Sequence, residues 1–129
     1  DGIRIEIKSA AYLQSWAQRD YSPIGFDVAP SRAFDPVTNT YSREPERQAD
    51  VYVFCVLAHK NKASVDPLNL DQWLFHVLDR HELDRSLGAQ RRITLSRLAA
   101  IGAREARYPQ LAETIREAVA RGSVTSRSE

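Results

Sequence analysis

The sequence predicts a mixed α/β fold, a sandwich built around one sheet. Its two ends and its middle carry that expectation. At the start, Ile3, Ile5 and Ile7 alternate strictly with Arg4, Glu6 and Lys8, which is the period of a strand. In the middle, residues 51–58 form a nearly continuous apolar run rich in Val and aromatics, as in a strand covered on both faces. At the end, Leu111, Ile115, Ala118 and Val119 fall on one face of a helical pattern.

Taken in order, Asp1-Gly2 is a hairpin-turn signal ahead of the first strand. The antiparallel partner such a turn implies is not in this sequence, so the sheet reads as cut at its N-terminus. The alternation predicts that the three isoleucines face a core and the three charged groups share the other face. Residues 10–19 read as a helix that Pro23 ends, with Tyr12 and Trp16 on one side. A short strand is expected over 24–28. Pro36-Val37-Thr38-Asn39 reads as a turn between strands at 33–35 and 40–41. Residues 43–47 are a charged connection, and 50–58 are the central strand. A polar loop over 59–70 leads to a strand at 72–78 and a short helix over 80–87 stopped by Gly88. A brief strand at 92–95, a helix over 96–107 weakened at Gly102, and a helix over 109–121 closed by Gly122 complete the domain. The α/β domain spans 1–122, and 123–129 is a polar tail.

Composition narrows the function classes. The chain has 129 residues, 43% hydrophobic and 27% charged, enough to bury one core without disulfides or metals. Its apolar runs are far shorter than the roughly 20 residues of a membrane helix. Its single cysteine, Cys55, cannot form an internal disulfide and sits in an apolar run as a core thiol would. That usage fits a reducing, cytoplasmic setting. A net charge of +1 argues against a strongly basic global field, leaving local patches as the route to nucleic acid. The chain contains no Met and begins with Asp, so it reads as a processed chain or part of a longer one.

Glu6-Ile7-Lys8 carries the sharpest chemistry. On a strand, i and i+2 point the same way, so a carboxylate and an ammonium stand side by side. The carboxylate can hold a hard divalent cation. The ammonium can orient water or stabilise charge on a phosphoryl group. By spacing alone the pair reads first as a solvated ion pair on an amphipathic strand.

The segment IRIEIKSAAYLQSW, followed by RQADVYVF and DQWLFHVL, resembles the PD-(D/E)XK phosphodiesterase superfamily across about residues 1–95. It is most similar to small bacterial members with an IEVKS-type segment. The resemblance implies a restriction-endonuclease-like fold, a mixed central sheet flanked by helices, here without its N-terminal strand. It also implies Glu6 as a metal-binding acid, Lys8 as the catalytic lysine, the backbone carbonyl of Ile7 as a further metal ligand, and Mg²⁺ or Mn²⁺ as cofactor. The family's first acid lies in the preceding strand. Asp1 has the wrong parity for that role and reads as a turn residue, while Asp27 and Asp50 are strand-end acids that could substitute.

Further candidates surround this motif. Ser9 could donate to a phosphate. Gln14, on the expected helix, could stand near the metal water or phosphate, and Arg47 could reach a phosphate as Arg commonly does. Arg91, Arg92, Arg97, Arg104 and Arg107 against Glu105 form a basic run that could track a nucleic-acid backbone. His59, His76 and His81 have no metal-ligand spacing with Cys55. The function expected is therefore a metal-dependent DNA endonuclease acting on phosphodiester bonds. The alternative is a catalytically inactive nuclease-fold module for DNA binding or protein assembly. A third reading, an unrelated interaction domain, makes Glu6 and Lys8 a surface pair. DNA is the partner expected, with no membrane and with a homodimer as the assembly weighed.

Overall fold

Seven successive residues, Val51–Leu57, are all buried, and they form the strand around which the domain is organised. The structure is a computed structural model that describes residues 2–14, 16 and 18–128, with 123–128 described by backbone alone. The strands are β1 (Ile5–Ala11), β2 (Gly25–Asp27), β3 (Phe34–Asp35), β4 (Thr40–Tyr41), β5 (Val51–Leu57), β6 (Trp73–Asp79), β7 (Arg92–Thr94) and β8 (Arg104–Ala106). The helices are α1 (Arg80–Leu87), α2 (Leu95–Ala100) and α3 (Leu111–Ser128). The main sheet has the order β1-β5-β6-β8. β1 runs parallel to β5, and the other pairs are antiparallel. A mixed sheet with helices is what the sequence pattern predicted.

The two faces of β5 bury different cores. Tyr52, Phe54 and Val56 face a cluster with Phe26 and Val28 around β2, Leu83 and Leu87 of α1, Ile93 of β7 and Leu98 of α2. Val51, Val53 and Cys55 face Phe75, Val77 and Ala118, under Leu111, Ile115 and Val119 of α3. Full burial of side chains such as Phe54, Leu83 or Leu98 stabilises by about 1.5–3 kcal/mol each. Cys55 is a buried free thiol whose pKa burial pushes up to about 11, so it is a core residue.

β1 departs from the expected facing. Its isoleucines are exposed, Ile5 by 46% and Ile7 by 60%, while Glu6 and Lys8 are half-buried. Register explains the reversal. Ile5 and Ile7 pair with Val51 and Val53 on the α3 side of the sheet, but α3 lies over β6 and β5. β1 is the edge strand, so its apolar face extends past the helix that covers its neighbours. Glu6 and Lys8 pair with Tyr52 and Phe54, on the side that β2 covers. Asp1, expected in a turn, lies outside the described residues.

The helix expected over 10–19 does not form. Ala10 and Ala11 continue the ladder opposite Val56 and Leu57, and the described residues beyond them bend. The Ser22 amide donates to the Tyr12 carbonyl at 2.9 Å, closing the segment as a loop. Gln18 braces it from inside, accepting from the Gln14 amide and donating to Ser22 Oγ. These side-chain bonds supply partners that a helix would otherwise take. Ser15 and Ala17 of the expected helix lie outside the described residues.

From β3 onward the fold follows the sequence until Gly102. The turn at 36–39 joins β3 to β4, with Asn39 at φ 57° and the Asp35 carboxylate accepting from the Val37 amide. α1 starts on an Asp79 cap and stops at Gly88, φ 56°. The helix expected over 96–107 instead breaks after Ala100, because Gly102 takes φ 88° and residues 104–106 pair with β6. α3, in turn, passes through Gly122 and runs on to Ser128. Gly122 is a contact residue: a Cβ there would meet the Asp79 side chain at 3.2 Å.

One buried imidazole makes the fold sensitive to acid. His76 is 5% exposed, and its Nε2 has no hydrogen-bond partner. Burial holds its pKa below 6.5, and Glu105 across the ladder only partly opposes this. The unfolded chain therefore binds a proton that the folded one refuses, so stability falls as pH drops through about 6.5 toward the lower folded value. The urea midpoint is expected to decline from about pH 7.5 to about pH 5.5, and His76→Leu should flatten that slope. Equal slopes in the two proteins would assign the acid sensitivity to other groups.

Candidate functional site

The edge position of β1 is what makes its charged face a site. In a central strand these side chains would be enclosed; here they are walled on one side and open on the other. The Lys8 ammonium lies 3.0 Å from Glu6 Oε2, with the lysine side chain 29% exposed and the glutamate 42%. Ile7 lies between them with its side chain on the opposite face, in register with Val53.

Other charges converge from β2 and β7. β2 packs beside β1 and pairs with β7, Asp27 standing opposite Arg92. Asp27 Oδ1 accepts the Ala29 amide at 2.9 Å. That bond is the main cause holding the Asp27 carboxyl below its ordinary range, and Lys8, Arg91 and Arg92 add to it. Lys8, paired with Glu6, thus also acts on the Asp27 charge from the β2 side. Tyr52 stands directly opposite Glu6. Burial pushes the Tyr52 phenol up, a backbone bond at Ala49 opposes this, and the Glu6 charge reinforces it. Sequence reasoning missed Tyr52. The signal was its parity in the parallel neighbour of the E-x-K strand.

The remaining candidates go elsewhere. Ser9 pairs with Cys55 and is exposed on the opposite face from Lys8, as strand alternation dictates. Gln14 is not on a helix; its Nε2 donates to the Ala11 carbonyl at 3.0 Å, within its own loop. Arg47 is 3% exposed, and its guanidinium is spent on Asp84 and on the carbonyls of Val28, Gly88 and Gln90. It is a buried tie between segments, so it does not reach solvent where a phosphate would lie. Asp50 accepts the Arg4 amide at the start of β5. The basic run also disperses: Arg104 pairs with Glu117 of α3, Arg107 donates to carbonyls at Asp71 and Trp73, and Arg97 to Ser86.

Set against known proteins, the chain matches no family model, no curated protein and no solved structure. Its chemistry is therefore judged on its own residues. Among the described residues no group of three or more His, Cys, Asp or Glu side chains gathers as a metal cage. Mg²⁺ does not require one, since it commonly binds one or two carboxylates and completes its shell with water and substrate phosphates. The half-exposed Glu6 carboxylate fits that share. Among the described residues no helix is long and apolar enough to cross a membrane.

Proposed function

We propose that this domain is a metal-dependent DNA nuclease of restriction-endonuclease-like fold, with Glu6 and Lys8 at the reacting phosphodiester. The observation that carries the reading is the Glu6–Lys8 pair, held 3.0 Å apart on the half-buried face of an edge strand. The parallel pairing of that strand with the buried central strand following it supports the fold assignment. The cations at 91 and 92 support an anionic ligand. A reducing, cytoplasmic setting goes with this reading, given one buried cysteine.

Each residue has a part. Mg²⁺ or Mn²⁺, held by the Glu6 carboxylate and the Ile7 backbone carbonyl, would supply an activated water and charge neutralisation at the phosphoryl group. Lys8 orients the attacking water or donates to the phosphoryl oxygen whose charge grows in the transition state. Arg91 and Arg92 hold the flanking backbone by charge. Tyr52 and β2 wall the site on the protein side and leave its other side open to the substrate.

The test is cleavage of supercoiled and single-stranded DNA in Mg²⁺ or Mn²⁺. Cleavage is expected to vanish in EDTA and to fall by about two orders of magnitude or more in Glu6→Gln. A folded protein that binds DNA but cleaves neither form with either metal would instead establish a non-catalytic nuclease-fold module.

A further inference from the structure

The loops that follow β1 and β5 meet beyond the C-terminal ends of these parallel strands, at the end of the strand that carries Lys8. Tyr12 packs on the same core face as Ala10 and lies roughly 13 Å from Lys8 along the strand. Lys60 Nζ stands 4.4 Å from the Tyr12 ring centre and 5.2 Å from that of Tyr21. The two tyrosines meet edge to face at 6.3 Å. Lys62 Nζ donates to the Trp16 carbonyl at 2.9 Å, and Gln18 bonds the Tyr12 carbonyl and Ser22 from within. The loop is thus braced, yet Trp16 is 61% exposed and Tyr21 47%. Beside Tyr21 opens a cleft of about 330 Å³ lined by Leu13, Gln18, Arg19, Asp20, Tyr21 and Lys62. Asp20 is the acid of the cleft, and its Oδ1 is occupied by the Tyr21 amide at 2.8 Å.

Exposed aromatic rings on a backbone tied by hydrogen bonds, among cations, are the parts of a base-stacking platform. A buried core has no use for Trp16, whereas the other tryptophan, Trp73, is half-buried and bonds the Pro67 carbonyl. Every base offers a π face, and arginine and lysine beside it take the phosphates. We propose that this loop surface binds unpaired bases of single-stranded DNA, one stacked on Tyr21 in the cleft and a neighbour on the exposed Trp16, with Arg19 and Lys62 on the flanking phosphates. The inference rests on the DNA reading above and names the substrate form: a strand with an unpaired segment running past Lys8.

The test is binding in EDTA, where no cleavage intervenes. Tryptophan emission is titrated with an oligo(dT) strand and with a duplex of equal length. The single strand is expected to quench emission and to bind more tightly than the duplex. Trp16→Ala should remove the quench and weaken binding about tenfold, as should Tyr21→Ala for affinity, with melting temperatures unchanged. Lys62→Ala should lower the slope of log affinity against log salt by about 0.7. Arg116→Ala, on the exposed face of α3, should bind the strand as the parent does, which separates this site from surface charge in general. Equal or tighter duplex binding, or wild-type binding by Trp16→Ala, would overturn the proposal whether or not the protein cleaves DNA.

Discussion

Replacing Arg47 with Ala is expected to cost the fold about 3–5 kcal/mol, read as a lower urea midpoint. The side chain is 1% exposed. Its Nε donates to the Val28 carbonyl at 2.8 Å, Nη1 to Asp84 and the Gly88 carbonyl, and Nη2 to the Gln90 carbonyl at 2.7 Å. These acceptors belong to the chain after β2, the end of α1 and the approach to β7. One planar fork therefore ties the end of α1 to the chain on both sides of the β2–β7 pair. Truncation leaves three backbone carbonyls without their donor, and leaving a buried acceptor unmade costs about 1–3 kcal/mol. Asp84, half exposed, can turn to water and contributes less. Arg47→Lys should not rescue stability, since a point charge cannot reproduce the fork. If Arg47→Ala melted like the parent and instead bound DNA more weakly, the residue would belong to the nucleic-acid surface.

Arg47 also shows where sequence reading ends. A charged residue in a Pro-containing connection looks like a surface group, because nothing local reveals three distant carbonyls awaiting a donor. Local signals did better. The apolar run at 51–57, the Gly88 stop and the 36–39 turn all form as patterned, because each is decided by its own residues. The facing of β1 failed for the opposite reason. Alternation shows that Ile5 and Ile7 share a face but not which face the rest of the chain covers, and α3 packs mainly on β6 and β5 while those two stay exposed. The E-x-K pair was legible because its spacing of two is itself the geometry. Tyr52 was not, since it depends on the parallel register with β5, and Asp27 was legible only as a strand-end acid, since its place depends on β2 docking beside β1. The segment after β1 misled through composition: AAYLQSW has helical spacing, but the ladder claims its two alanines and Gln18 closes the rest.

Lys8→Ala is expected to lower the rate of DNA cleavage by about 10²–10³-fold while leaving stability within about 1 kcal/mol. The two halves of that expectation come from the same geometry. Because both side chains keep an opening to solvent, their mutual attraction is partly screened, and losing it costs the fold little. Because the strand fixes them 3.0 Å apart against a wall of buried residues, a phosphoryl group placed there would meet an ammonium that needs no reorganisation. A surface ion pair on an interaction domain predicts something different: Lys8→Ala would change neither cleavage nor DNA affinity. Lys8→Arg discriminates further. It keeps the charge but moves it onto a longer, planar group, so it should retain DNA binding and recover only part of the rate. Full activity in Lys8→Arg would mean that the position supplies charge alone, and the water-orienting role would then pass to another group on the β2 side.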